Sequence, residues 1–234
     1  MSRIPILAKL KASLEASAGD VVFGMEDGTV SIFGLVFGVA ATTNDQSAVL
    51  IAGASGAVAA AVSMMAGTYL DAETSEDQAK VLNSRIAADL KSDSGAVVGR
   101  VTQRLETTGL TQEQAVIASS FFSSQPAILK ALAVALADPA SGSTDSALVR
   151  SLWMLIADFL AAAIPILPFA FLPVREGRVV SAGITTLLLV ALGIGRARIG
   201  GRNTLRTVIE TVSIGIAAAL AGVGIGVGIS RLAG

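Results

Sequence analysis

Five apolar stretches alternate with polar segments along the chain, at about 21–43, 48–70, 150–175, 179–195 and 205–232. A hydrocarbon core about 30 Å thick needs roughly 20 apolar residues in a helix. The fourth stretch has only seventeen residues, Val179 to Gly195, and spans marginally. The third contains Pro165, Pro168 and Pro173, which kink or end a helix and free carbonyls that need partners. The pattern predicts an all-α integral membrane protein with five transmembrane helices.

The polar segments divide the chain into four parts. Residues 1–19 combine Lys9 and Lys11 with leucines at near-helical spacing, typical of an amphipathic helix on a membrane surface. Residues 20–70 form a transmembrane hairpin, because the polar turn at 42–47 is short. Residues 71–149 resemble a soluble unit of short helices, and residues 150–234 hold the last three spans.

The 71–149 insert carries its own helix signals. Thr111 and Gln114 fit a capping box that begins a helix after Gly109. Asp138-Pro139, followed by Ser and Gly, predicts a loop before the third span. Dimerisation through this insert is a hypothesis, because its modest apolar content must pack on something.

Lysine and arginine are concentrated in residues 1–19, in the insert and in 195–206, whereas the turn between the first two spans has none. The positive-inside rule then places the N-terminus and the insert in the cytosol and the C-terminus outside. With short loops and no organelle-targeting segment, we expect a prokaryotic inner membrane.

Composition excludes several kinds of chemistry. The chain is 53% hydrophobic and 15% charged, with a mean hydropathy of +0.70, and it has no cysteine and no histidine. Thiolate metal sites, cysteine nucleophiles and histidine-based catalysis are therefore absent. An intramembrane hydrolase would need an aspartyl pair or a Ser-Lys pair, and the spans contain no lysine. We expect no enzyme activity, no cofactor and no nucleic-acid partner.

Acidic residues inside the spans are the candidate functional groups. Glu26 and Asp27 lie in the first span, and Asp20 precedes Asp27 by two helical turns on nearly the same face. An ionised carboxylate at that depth costs several kcal/mol unless it faces a cavity, a partner or a cation. Asp27 is the first candidate; the alternative is a carboxylate satisfied by a neighbouring helix or kept protonated.

Four further side chains complete the candidates. Met64 and Met65 lie in the second span, where the hairpin can bring either beside Asp27. For Asp158 in the third span, the sequence favours neither a functional nor a structural role over the other. Glu210 in the fifth follows Arg206 by four residues, which favours a local ion pair.

Glycines recur at helical spacing in the first and fifth spans. Gly24 with Gly28, and Gly34 with Gly38, form small-xxx-small pairs that let a second helix backbone come close. The ladder at 222, 224, 226 and 228 lies within an apolar span and lacks the lysine of a phosphate loop. Close helix packing explains it better.

Three of these stretches carry family motifs, DVVFGMEDG at 20–28, SMMAGTYL at 63–70 and IPILPF at 164–169. They resemble the DxxFGxxDG, SMxxGxYL and IPLLPF motifs of the vacuolar iron transporter family, the VIT/CCC-type divalent-metal exporters. Residues 206–215 are similar to that family's fifth-span entry. The resemblance covers nearly the whole chain in order.

The resemblance implies a homodimer whose first spans line a conduction path at the dimer axis. It implies export of Fe²⁺ and related ions such as Mn²⁺ from the cytosol, in exchange for protons, with the ion as substrate. Asp27 takes the role of the intramembrane carboxylate and Met64 that of the thioether beside it. The remaining candidate ligands are Asp20, Glu26, Met65 and Asp158.

The chain also departs from the family pattern. The family usually has Asn where Glu26 stands here, and Glu where Thr68 stands here. Its insert bears Glu residues and a Met pair that collect metal. Here residues such as Ile86, Asp89 and Arg100 stand in that stretch. The acids at 71–77 are either a substitute cation-attracting rim or a solvated charge run. A non-transporting membrane scaffold or metal sensor is therefore the alternative function.

Overall fold

The computed structural model describes residues 6–107, 109, 111–137 and 146–233. Over this part of the chain every regular element is a helix, which confirms the all-α prediction. The helices are α1 (Ile6–Ala16), α2 (Ala18–Ala40), α3 (Gln46–Ser92), α4 (Ser94–Glu106), α5 (Gln112–Ser123), α6 (Pro126–Ala137), α7 (Ala147–Ile166), α8 (Pro168–Phe171), α9 (Val174–Ile199) and α10 (Thr204–Ala233).

Helices α2, α3, α7, α9 and α10 are long and apolar enough to cross a membrane, which confirms five spans. Two helices extend beyond the predicted apolar spans. Helix α9 has 26 residues rather than seventeen, because the arginines at both ends are helical. Helix α3 has 47 residues and continues past Leu70, because 71–92 changes in polarity but contains no Gly or Pro to break it.

The chain forms two compact units, Met1–Leu70 with Asp145–Gly234, and Asp71–Thr144. The second unit holds the end of α3 and the short helices α4, α5 and α6 around Ile86, Val97, Val101 and Leu129. Thr111 and Gln114 form the predicted capping box before α5. The predicted loop at Asp138-Pro139 lies outside the described residues. A cytosolic location for this unit stays a prediction.

Helix α2 is the helix on which the first unit is built. A side-chain carbon added to Gly28 would lie 2.7 Å from the Asp158 Oδ1 of α7. One added to Gly38 would lie 2.7 Å from the carbonyl oxygen of Gly222 in α10. The glycine pairs therefore admit α7 on one half of α2 and α10 on the other, as predicted. In the predicted ladder, Gly222 and Gly226 face Gly34 and Gly38 of α2, whereas a side-chain carbon added to Gly224 or Gly228 would meet no atom within 4 Å.

The proline-rich segment between α7 and α9 exposes backbone carbonyls, and polar side chains bind them. The Ser181 hydroxyl of α9 donates to the carbonyl of Pro165 at 2.7 Å. The Gln46 amide of α3 donates to the carbonyl of Phe169 at 2.6 Å. The Phe169 carbonyl is the one that Pro173 frees, so for this carbonyl the predicted need for a partner is met.

The N-terminal helix α1 lies beside the membrane-spanning helices of the first unit. Its Leu7 and Leu10 are exposed. The Trp153 Nε1 of α7 donates to the Ser13 hydroxyl at 3.1 Å. The predicted helix is present, and its position on a membrane surface stays a prediction.

Candidate functional site

Asp20, near the start of α2, is held by an arginine of α7. The Nε and Nη2 atoms of Arg150 donate to its two carboxylate oxygens at 2.8 and 3.2 Å. This two-pronged geometry is the strongest form of the arginine–carboxylate bond. Asp20 was predicted as a metal ligand; the structure places it in an ion pair, so binding a metal would require its release from Arg150.

Glu26 is also neutralised by an arginine, Arg196 near the end of α9. The Arg196 Nη1 of α9 donates to the Glu26 carboxylate at 3.0 Å, and the Thr211 hydroxyl of α10 donates to the same oxygen at 3.2 Å. The Glu26 side chain is only 12% exposed. Glu26, like Asp20, was predicted as a metal ligand but forms an ion pair with an arginine of the same chain.

Glu210 extends the charge network of Glu26 on α10. Its carboxylate accepts from Arg202 at 3.2 Å and lies 3.9 Å from the Arg196 Nη2. The expected pair between Glu210 and Arg206 is therefore wrong. Helix α10 begins at Thr204, and the backbone N–H of Arg206 instead donates to the Asn203 side chain.

Asp27 is the one acid of α2 that has neither a hydrogen bond nor an ion pair within the described part of the chain. It is half-buried and lines a cleft of about 480 Å³ between α2, the end of α9 with the turn after it, and Ile214 of α10; we call it the Asp27 cleft. Val22, Phe23 and Ile214 supply apolar walls, and Glu26 and Arg196 supply polar ones. The volume is ample for an ion with several waters, at roughly 30 Å³ a water.

Asp158 is completely buried in α7, and neither of its carboxylate oxygens has a hydrogen-bond partner among the described residues. It lies against Gly28, the residue after Asp27. Met154, one turn earlier in α7, faces Gly24 in the same way. Burying a carboxylate without a partner is unfavourable, so this position points to a proton or a cation as its partner.

Charge pairing separates the five acids of α2, α7 and α10 into two groups. Asp20, Glu26 and Glu210 each contact an arginine. Asp27 and Asp158 contact none within the described residues, and Asp158 lies against Gly28, the residue that follows Asp27, although it does not line the Asp27 cleft. The pair carries a formal charge that matches one divalent cation.

The predicted thioether ligands lie elsewhere on the second span. Met64 and Met65 are half-buried in α3, and neither lines the Asp27 cleft. Their role as ligands stays a prediction. Within the described residues there is no group of three or more acidic side chains placed to hold a metal ion.

The arginines are the residues that sequence reasoning missed. Arg150 and Arg196 are not among the candidate residues predicted from the sequence, yet they neutralise Asp20 and Glu26 from 130 and 170 residues away in the chain. A basic residue at the end of one span and an acid inside another span is the sequence signal that could have indicated such an ion pair.

Comparison with known proteins supports this architecture. The chain is 27% identical over 207 residues to Vacuolar iron transporter 1 of Arabidopsis thaliana, with 86% of this chain and 81% of that protein covered. It is 26% identical over 202 residues to the Vacuolar iron transporter of Centaurea cyanus, covering 86% and 82%. A sequence profile of the VIT family matches residues 18–227, so the chain belongs to the VIT family.

Proposed function

We propose that this protein is a membrane transporter that moves Fe²⁺, Mn²⁺ or both out of the cytosol, in exchange for protons. The path runs along α2 in a homodimer. The names of the plant relatives support iron as a substrate, and five apolar helices support insertion in a membrane. Mn²⁺, proton exchange and the dimer are parts of the proposal that the resemblance of the motifs suggests.

The observation that carries the proposal is the unpaired carboxylate of Asp27 in its cleft. Four neighbouring charges, Asp20, Glu26, Arg150 and Arg196, are engaged with one another. Asp27 stands among them without a protein cation within the described residues. An acid inside a span is tolerated when a cation or water reaches it, and a cleft beside it provides that access.

Asp158 supplies the second carboxylate of the proposed site. It is buried against Gly28, the residue that follows Asp27, and its oxygens have no partner in the described part of the chain. One divalent ion, or two protons in its place, would neutralise the pair. This equivalence is the physical basis for exchanging metal against protons at one site.

Ligand chemistry favours a transition metal over calcium. Ca²⁺ and Mg²⁺ prefer shells made only of oxygen, whereas a shell of carboxylate and thioether suits Fe²⁺. Met64 would complete such a shell if α3 brings it to the path, with Met65 as the neighbouring candidate. Asp20 and Glu26 would join only after release from Arg150 and Arg196.

A homodimer is supported by an exposed groove along α2 and α10. This outer groove, about 680 Å³, is lined by small and apolar residues that include Ser31, Gly38, Ala218 and Ile229. A second copy seated there would bring its own α2, and hence its Asp27, towards the first. Lipid is the alternative occupant, and disulfide cross-linking from Ser31 in the groove distinguishes the two.

The orientation, with the N-terminus and the 71–149 insert in the cytosol, rests on the positive-inside rule. A prokaryotic inner membrane likewise stays a prediction. The relatives from Centaurea cyanus and Arabidopsis thaliana are plant proteins named vacuolar, and they give this location no support.

Uptake into proteoliposomes tests the proposal. Purified protein is reconstituted, and entry of Fe²⁺ and Mn²⁺ is followed with a trapped fluorescent chelator. We expect Asp27→Asn, which keeps the shape and removes the charge, to lower the rate by about a hundredfold, because an unreplaced charge contact is worth ~3 kcal/mol. Glu113→Gln, an exposed acid of α5, is the matched control and should transport normally.

Equal rates for wild type and Asp27→Asn would contradict transport along α2. Metal binding without any uptake by wild type would instead favour the scaffold or sensor alternative.

A further inference from the structure

The second unit contains a cleft that the proposed transport path does not use. It is about 630 Å³ in volume and lies between the end of α3, helix α4 and the end of α6. It is here called the basic cleft. Its size is that of a site for a small organic ligand, at roughly 300–1,000 Å³.

The charges around the basic cleft are mainly positive. Arg85, Arg100 and Arg104 line it, with Asp89 as the acid among its lining residues. Asp89 is bonded to Arg100. Arg85 and Arg104 have no ion pair within the described residues. Two unpaired guanidiniums on different helices thus face one cavity, and a guanidinium binds carboxylate or phosphate through two parallel hydrogen bonds.

The floor of the basic cleft is aliphatic. Leu82, Ile86, Val97, Val101 and Leu136 line it, and its described lining includes no aromatic side chain. Nucleobases and other flat rings bind largely by stacking on aromatic residues, so the walls do not favour a nucleotide. An aliphatic chain fits this surface through the hydrophobic effect alone.

The same charges disfavour a metal. The resemblance described above associates this part of the chain with metal-collecting acids, but the unpaired charges here are positive. A divalent cation in the basic cleft would be repelled by both unpaired guanidiniums, because like charges at short range repel.

We propose that the basic cleft binds an anionic lipid, with an acyl chain on the aliphatic floor and its phosphate or carboxylate held between Arg85 and Arg104. The proposal goes beyond the transport function and does not depend on it. It gives the insert a ligand of opposite charge to the transported ion.

Native mass spectrometry of the full-length protein in a maltoside detergent tests this. The probes are palmitoyl lysophosphatidic acid, palmitoyl lysophosphatidylcholine, which has the same chain without net charge, and inorganic phosphate, which has the headgroup without the chain. We expect the anionic lipid to bind about tenfold or more tightly than the zwitterionic one, because charge-assisted hydrogen bonds are lost in the latter. Inorganic phosphate should not compete.

Two double variants distinguish lipid bound in the basic cleft from lipid bound to the membrane-spanning helices. Arg85→Gln with Arg104→Gln should weaken binding of the anionic lipid by about tenfold or more. Lys91→Gln with Lys130→Gln removes the same charge from the same unit, outside the cleft, and should change binding less than about twofold.

Equal binding of the two lipids by wild type would overturn the proposal, and this comparison needs no variant to fold. Equal losses in the two double variants would also overturn it, as would competition by inorganic phosphate, which would make the cleft a site for free anions.

Discussion

Arg196 is an internal cation next to the proposed metal site, and it holds Glu26 at 3.0 Å. Removing it should therefore release a carboxylate one residue from Asp27. We expect Arg196→Gln to tighten Mn²⁺ binding by about tenfold, because an added nearby negative charge in a partly buried site is worth ~1–2 kcal/mol. Electron paramagnetic resonance of free Mn²⁺ measures this. Arg231→Gln, in the last turn of α10, is the control, and unchanged or weaker binding in Arg196→Gln would contradict the assignment.

Asp158 gives a second prediction at the residue scale. Asp158→Asn preserves volume and removes an acid that is buried without a partner in the described residues. We expect weaker Mn²⁺ binding by about tenfold, because one of two carboxylates is lost. We expect no loss of thermal stability, because removing an unpaired buried charge relieves desolvation. A lower melting temperature with unchanged Mn²⁺ binding would show a purely structural role.

At this scale the sequence predicts which acids lie inside spans but not which of them remain unpaired. Asp20 and Asp27 share a helix face by simple spacing. Their different fates depend on Arg150, which comes from α7, 130 residues away from Asp20. That contact follows from the packing of helices, which local pattern does not specify.

At the scale of elements, the close approach of α2 and α10 depends on glycine. A side chain at Gly38 would meet the carbonyl of Gly222 at 2.7 Å, whereas Gly224 has open space around it. We expect Gly38→Leu to lower the stability of the folded protein in detergent by ~2–4 kcal/mol, because two backbones must separate. Gly224→Leu should have little effect. Equal thermal shifts in the two variants would contradict this packing.

The small-residue spacing predicted that a helix would approach α2. The structure shows that α7 approaches at Gly24 and Gly28 and that α10 approaches at Gly34 and Gly38. The lengths of α3 and α9 were less predictable. Their ends were judged from a change in polarity, but a helix continues through charged residues unless Gly, Pro or a cap ends it. The capping box at Thr111 was predictable because it is a local hydrogen-bond pattern.

At the scale of the whole molecule, the homodimer places the outer groove of α2 and α10 between two copies. The chain has no cysteine, so any disulfide that forms after one cysteine is introduced must involve that cysteine. We expect Ser31→Cys, in the groove, to form an intermolecular disulfide in oxidised membranes, since cross-linking needs Cα atoms within about 7 Å. Val179→Cys, exposed on α9, is the control. Monomer at both positions, or equal dimer at both, would contradict this interface.

The central claim is that a divalent ion binds α2 at Asp27, and anomalous X-ray scattering from crystals soaked in Mn²⁺ tests it most directly. The account predicts an anomalous peak within about 2.5 Å of an Asp27 carboxylate oxygen, the distance of a metal–oxygen bond, and its loss in Asp27→Asn. Mn²⁺ density only elsewhere on the chain, with the Asp27 cleft empty in wild type, would contradict it.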